Sequence, residues 1–125
     1  MDRSVIFVGL GGLIGSIARY LVAIGLSAYA TSAFPFATLL VNILGCFVIG
    51  LVFGLIDRGS TLSPEWRLFL TTGFCGGFTT FSTFSYESLR LMQDGEYLYL
   101  FVYVAASLVA GFAATFGAIA LVRSI

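Results

Sequence analysis

Glycines, hydroxyl side chains and phenylalanines alternate within one apolar stretch of the sequence. Its members are Gly73, Gly76, Gly77, Thr79, Thr80, Phe81, Ser82, Thr83, Phe84 and Ser85. The glycines weaken a helix, and the hydroxyls offer hydrogen-bond partners to backbone groups that a break would free. The pattern therefore indicates a helix that is broken near the membrane midplane. Opened carbonyls at such a break can hold a cation, and the N-terminus of the second half favours an anion. A polar packing seam between helices is the alternative.

Phe81 and Phe84 are three residues apart and would share a helix face if the helix resumes there. An aromatic ring has a positive edge, so edges turned inward could line a path for a small anion. The chain contains 13 phenylalanines, so simple packing in lipid or between helices is a strong alternative.

Asn42 is the only asparagine and lies about a third of the way into the second apolar stretch. An amide in hydrocarbon is costly unless it is bonded, so the side chain must face protein or water. Its NH2 group could donate to an anion, or the amide could bond a neighbouring helix. Thr38, one turn earlier, extends this polar strip.

Two further features lie in the outer stretches. Tyr103, Ser107, Gly111 and Thr115 recur at steps of four, which predicts one small and polar stripe that either coordinates an ion or packs closely. Arg19 is the one cation deep in an apolar stretch, about 15 Å from its nearer end. It could charge a water-filled vestibule, pair with Glu87 or bond a helix end.

The composition says where these residues must lie. Of the 125 residues, 59% are apolar and only 10% are charged, against about a quarter in soluble domains. The formal net charge is zero and histidine is absent, which argues against a nucleic-acid binder and against an enzyme. The two cysteines form no CxxC pattern. We expect an integral membrane protein.

Four stretches reach the roughly 20 apolar residues that cross a bilayer. They are residues 4–29, 36–56, 67–92 and 97–123. Short connections make neighbouring stretches antiparallel, so the predicted fold is one all-α domain over residues 1–125, a hairpin of helical hairpins. Glycines in the first stretch and Gly50-x-x-x-Gly54 in the second predict close helix packing and a dimer.

Arginine placement predicts the orientation. Arg3, Arg58, Arg67 and Arg123 lie near one face and Arg90 near the other. Four against one favours cytoplasmic termini under the positive-inside rule.

Three segments together resemble the Fluc/CrcB family of fluoride channels. They are Gly11-Gly12-Leu13-Ile14-Gly15-Ser16-Ile17-Ala18-Arg19-Tyr20, Thr38-Leu39-Leu40-Val41-Asn42 and Gly73-Phe74-Cys75-Gly76-Gly77-Phe78-Thr79-Thr80-Phe81-Ser82-Thr83-Phe84. The resemblance implies a multi-pass protein of the bacterial inner membrane that passively exports fluoride. It also implies a dual-topology antiparallel homodimer with two pores. The arginine bias leaves room for an oppositely oriented paralogue as partner.

The resemblance also implies residue roles. Backbone carbonyls of Gly76 and Thr79 would hold one Na+ at the dimer centre. The fluoride pathway would use Phe81 and Phe84 as an aromatic box, Asn42 as an amide donor, and a polar track of Ser82, Thr83, Tyr103 and Ser107. We add Thr38 to this pathway because it lies one turn before Asn42. Arg19 would match the family's arginine in the first span.

Two other functions remain as alternatives. A proton-coupled exporter of the small multidrug-resistance type shares the length and the four spans, but it needs an intramembrane carboxylate, for which Glu87 is the only candidate. A non-transporting assembly subunit would use the glycine faces for packing and would leave the phenylalanine and hydroxyl cluster unexplained.

Overall fold

The computed structural model describes residues 2–29 and 32–125 and contains only helices among them. The helices are α1 (Arg3–Ser27), α2 (Phe36–Asp57), α3 (Pro64–Leu68), a π-helical segment (Phe69–Cys75), α4 (Gly76–Phe78), α5 (Phe81–Gln93) and α6 (Tyr97–Ser124). Three of them, α1, α2 and α6, are long and apolar enough to cross a membrane. The chain is therefore a helical membrane protein.

The remaining helical run starts at α3 and ends with α5. Ser63 begins it, because its side chain accepts a hydrogen bond from Trp66 N and Pro64 occupies the first turn. The predicted interruption lies between α4 and α5, at Thr79 and Thr80. The seven-residue π-helical segment within this run was not predicted.

Helices that are neighbours in sequence are not the main packing partners. The helix α1 packs chiefly along the π-helical segment and α4, and α2 packs chiefly along α6. The prediction of a hairpin of hairpins is therefore wrong in its pairing. The close pairs join α1 to the run from α3 to α5, which we call the third run, and α2 to α6.

Glycines explain the first of these pairings. Gly11 and Gly15 of α1 face the backbone of the third run, and a methyl group on Gly15 would meet Phe74 O and Phe78 N. The contact is reciprocal, since a methyl group on Gly77 would lie 2.6 Å from Gly12 O. Without side chains between them, the two backbones approach closely.

The second pairing has the same origin. Methyl groups on Gly50 and Gly54 of α2 would meet atoms of α6, among them Thr115 O and the Val122 side chain. We predicted that these glycine faces support a dimer. These glycines contact helices of the same chain, so the predicted close packing is confirmed and the dimer stays a prediction.

Arginines complete the backbone hydrogen bonding at one end of the helices. Arg58 Nη1 donates to Val122 O at 2.8 Å and to Ile125 O at 2.6 Å, which caps the C-terminus of α6. Arg67 donates through Nε to Leu62 O at 2.9 Å and through Nη2 to Ser60 O at 3.4 Å. These guanidinium groups satisfy carbonyls that a helix end and a loop would otherwise leave open.

Replacing Gly15 by alanine tests the α1 contact. The added methyl would meet two backbone atoms, which cannot move aside, so we expect Gly15→Ala to destabilise the protein by about 1–3 kcal/mol. Gly9→Ala is the matched control, since a methyl there meets nothing within 4 Å. Thermal unfolding of the detergent-purified variants measures both. Equal unfolding temperatures for the two variants would contradict the packing described here.

Candidate functional site

The helical run breaks over two residues with extended backbone. Thr79 has φ −93° and ψ 161°, and Thr80 has φ −153° and ψ 120°. The last regular bond before the break joins Thr79 N to Cys75 O at 3.0 Å. Beyond that point, side chains take over the hydrogen bonds that the helix no longer makes.

Asn42 clamps the break from α2. Its Oδ1 accepts from Thr80 N at 2.8 Å, and its Nδ2 donates to Thr80 O at 3.3 Å. The side-chain amide of Asn42 thus bonds both the backbone N–H and the backbone carbonyl of Thr80. The interhelical bond expected of Asn42 is present, and one N–H of the amide remains for another acceptor.

Thr80 starts the second half of the run. Its Oγ1 accepts from Thr83 N at 3.1 Å, the N-cap bond of α5. The same hydroxyl lies 3.1 Å from Ser82 Oγ and 3.2 Å from Thr83 Oγ1. Three hydroxyls therefore form a cluster at the N-terminus of a 13-residue helix, the end that favours negative charge.

The two phenylalanines follow directly. The ring centroids of Phe81 and Phe84 lie 5.8 Å apart with a tilt of 44°, so the rings share a side of α5 as predicted. Phe81 is 79% exposed, whereas Phe84 lies against Tyr103 at 5.0 Å. Tyr103 is fully buried, and its hydroxyl donates to Glu87 Oε1 at 2.9 Å.

A cavity of about 380 Å³ opens beside the break. Residues of α2, the third run and α6 line it: Asn42, Gly45, Cys46, Ile49, Thr71, Cys75, Gly76, Thr79, Thr80, Phe81, Phe84, Ser107 and Leu108. Ser107 Oγ is buried and has no hydrogen-bond partner within the described residues. A buried hydroxyl without a partner is costly, so this one is available to a ligand or to water.

The break also changes the surroundings of two carbonyls. In a continuous helix Gly76 O would accept from Thr80 N and Thr79 O from Thr83 N. Here those N–H groups donate to Asn42 Oδ1 and to Thr80 Oγ1. Both residues line the cavity, and unwound carbonyls are the groups that hold Na+ in membrane proteins. The donor set therefore fits the sodium ion that the family resemblance implies.

Arg19 bonds a helix end. Its Nε donates to Gly77 O at 2.9 Å, within the last turn before the break. Of the roles left open for this arginine, the structure contains the helix-end bond, and the Glu87 carboxylate is bonded by Tyr103 instead. Arg19 thus supplies a hydrogen-bond donor to the Gly77 carbonyl beside the break.

The structure brings together only part of the predicted site. Asn42, Gly76, Thr79, Phe81, Phe84 and Ser107 line the cavity, whereas Thr38, Ser82, Thr83 and Tyr103 do not. Thr38 is buried. We missed the central position of Thr80, although a threonine directly before a helical pattern is an N-cap signal. We also missed Gly45, where a methyl group would meet the Thr79 side chain.

The geometry defines a helical membrane protein with a polar break and a cavity beside it. Residues 6–119 match the family described as CrcB-like protein, Camphor Resistance (CrcB). The chain belongs to the CrcB family.

Relatives extend this assignment over nearly the whole chain. A Chlorobaculum tepidum protein named Fluoride-specific ion channel FluC is 55% identical over 114 residues, 91% of this chain and 90% of the relative. Proteins with the same name from Flavobacterium psychrophilum and Leptospira interrogans are 42% and 38% identical. They cover 90% and 98% of this chain, and 91% and 97% of the relatives. These relatives are named as channels and not as enzymes.

Substituting Arg19 tests its bond at the break. Arg19→Met keeps the length of the side chain but removes the donor to Gly77 O, so we expect a loss of about 1.5–3 kcal/mol of stability. Arg90→Met is the control, because Arg90 is exposed and bonds only Tyr86 Oη in the described structure. Its unfolding temperature should stay close to that of the wild type. Equal losses in both variants would contradict a specific role for the Arg19 bond.

Proposed function

We propose that this protein is a passive, fluoride-selective channel that exports fluoride from the cytoplasm. The observation that carries the proposal is the broken third run, with an amide, an unpartnered hydroxyl and a phenylalanine pair around one cavity. Relatives that bear the name of fluoride-specific ion channels over 90% or more of this chain support the choice of ion.

Hydrogen-bond donors provide the selectivity in this proposal. Fluoride is small and strongly hydrated, so a narrow path must replace its water with donors. In the cavity, the free N–H of Asn42 and the unpartnered hydroxyl of Ser107 would donate these hydrogen bonds to fluoride. The hydroxyl cluster of Thr80, Ser82 and Thr83 lies at the N-terminus of α5 and continues the polar track, with Thr38 and Tyr103 further along it. A narrow path would exclude larger anions such as chloride.

Phe81 and Phe84 have a different role. Their ring edges carry partial positive charge and tolerate an anion without the full charge that would trap it. Exposure of 79% at Phe81 in one chain leaves this ring available to a second chain, which supports pores built from both subunits.

A structural sodium ion completes the proposed assembly. The carbonyl oxygens of Gly76 and Thr79 would hold it, two from each chain, because their helical donors bond Asn42 and Thr80 instead. The ion would supply positive charge that neutralises the carbonyl dipoles at the subunit contact. Asn42 and Thr80 would then keep the break rigid around the sodium ion.

The proposed assembly is an antiparallel homodimer of four-span subunits in the bacterial inner membrane, with the break near the midplane. The cavity beside the break is open in one chain, and a second copy would close it. Flow is driven by the electrochemical gradient alone. Fluoride that enters as HF and ionises in the cytoplasm would leave by this route.

The exporter alternative gains no support. Proton exchange for a cationic drug needs an intramembrane carboxylate at the binding site, and Glu87 does not line the cavity and accepts a bond from the buried Tyr103 hydroxyl. An assembly subunit would not need an unpartnered hydroxyl in a cavity at the break.

Fluoride efflux from proteoliposomes tests the function. We expect rapid, valinomycin-dependent efflux by a fluoride electrode and none from chloride-loaded vesicles. Phe81→Ile should reduce the efflux at least about tenfold, since an aliphatic side chain of similar bulk lacks the ring edge. Phe101→Ile is the matched control, at 72% exposure on α6.

Two results would contradict the channel proposal. Equal passage of fluoride and chloride would remove the selectivity mechanism. Unchanged efflux in Phe81→Ile would show that the exposed ring only packs.

Orientation is tested separately with a C-terminal protease-sensitive tag. A dual-topology homodimer should lose about half of the tag when protease is added outside sealed vesicles. Vesicles opened with detergent are the control for complete cleavage. Cleavage of all or none in sealed vesicles of one orientation would instead indicate an oppositely oriented paralogue as partner, as the arginine bias allows.

A further inference from the structure

The peptide N–H of Thr80 has two possible acceptors. A continuous helix would direct it to Gly76 O, but in the structure it donates to Asn42 Oδ1 at 2.8 Å. The extended backbone of Thr79 and Thr80 turns this N–H away from Gly76 O, and the bond to Asn42 stabilises that conformation, so the Gly76 carbonyl has no helical donor. The Thr80 N–H thus donates to the asparagine on α2 and not to the Gly76 carbonyl on α4.

We propose that Asn42 is a positioning residue for the central cation: by accepting the Thr80 N–H, it keeps the Gly76 carbonyl free to bind Na+. This inference rests on the sodium site of the proposed function. Asn42 does not touch the cation in this scheme. It acts through Thr80, whose peptide lies between the α2 side chain and the cation ligands.

The amide orientation supports the assignment. Nδ2 donates to Thr80 O at 3.3 Å while Oδ1 accepts from Thr80 N, and only this orientation satisfies both bonds. Rotating the amide by 180° would set N–H against N–H. A side chain that served only as an anion donor would not need its oxygen fixed on a peptide N–H.

The same residue influences the second cation ligand. Thr80 Oγ1 accepts from Thr83 N, the helical donor for Thr79 O. Asn42 holds the Thr80 backbone, and the Thr80 hydroxyl in turn holds the N–H of Thr83. Both proposed carbonyl ligands are therefore kept free by one connected pair of residues.

One consequence is that the anion path and the cation site share a side chain. Asn42 lines the cavity through which fluoride would pass, and its oxygen sets the cation ligands. A substitution can separate the two roles, because Asp retains the acceptor oxygen but loses the amide donor, whereas Ala loses both.

Sodium titrations of the purified full-length protein test this inference without any measurement of transport. The protein is exchanged into N-methyl-D-glucamine chloride and titrated with NaCl at constant ionic strength. The readouts are the unfolding temperature and the dimer fraction, and each gives a half-saturating Na+ concentration.

The expected results differ between variants. Asn42→Ala should raise the half-saturating Na+ concentration about 10- to 100-fold, the usual effect of removing a group that orients a metal ligand. Asn42→Asp should not raise it, because the carboxylate still accepts the Thr80 N–H. Thr80→Val removes the hydroxyl that holds Thr83 N and should raise it as well, which keeps the test open if Asn42→Ala does not fold.

Thr115→Val is the matched control for a purely structural loss. It removes the hydroxyl bond to Cys46 O, which joins α6 to α2, and the bond to Gly111 O within α6, and it leaves the hydrogen bonds of Thr80 intact. The unfolding temperature should fall equally at every Na+ concentration, with no change in the half-saturating value.

Three outcomes would overturn the inference. If Asn42→Ala titrates with Na+ like the wild type, or if Asn42→Asp shifts as far as Asn42→Ala does, the positioning role alone is removed. A wild-type protein with no response to Na+ removes the sodium site as well. Fluoride efflux from the same wild-type preparation is recorded separately, so a failure of the channel proposal is distinguished from both.

Discussion

The structure depends on one constraint: within a membrane, a broken helix must find partners for its freed backbone groups inside the protein. Two side chains from other helices and one at the break meet that need. Asn42 bonds both polar groups of the Thr80 backbone, Arg19 bonds Gly77 O, and the Thr80 hydroxyl caps α5. The break is therefore a tertiary feature, held by helices far away in sequence. The cavity, the placement of the phenylalanine pair and the free carbonyls all follow from it.

Close helix packing is the condition for those bonds. Lipid is as apolar as leucine, so helices in a membrane associate through tight backbone contact and not through hydrophobic burial. The glycine contacts between α1 and the third run bring Arg19 within reach of Gly77 O. Those between α2 and α6 let Thr115 Oγ1 reach Cys46 O at 3.1 Å. Small residues thus set the short distance between helices that the interhelical hydrogen bonds require.

The sequence predicted local features better than tertiary ones. Helix limits and the position of the break follow from apolar length, glycine and hydroxyl residues, which act over a few residues. The pairing of helices did not follow, because Gly11 and Gly50 look alike in sequence and only the fold assigns their partners. Asn42 was expected to be bonded, but its partner lies 38 residues away and could not be read from spacing. The π-helical segment has no signal in Phe69–Cys75 that distinguishes it from an α-helix.

The backbone hydrogen bonds of Arg58 and Arg67 have a consequence for membrane insertion. Arg58 caps carbonyls of Val122 and Ile125, and Arg67 holds the loop carbonyls of Ser60 and Leu62. Two of the four arginines that bias the orientation are thus committed to the folded backbone. Charge balance between the two faces cannot be reached by deleting them, since each deletion would expose carbonyls that need a donor. Deleting Arg3 and Arg123 would still leave two arginines against one, so equal charge on the two faces also requires a charge added at the opposite end, where the short turn between α5 and α6 leaves few positions.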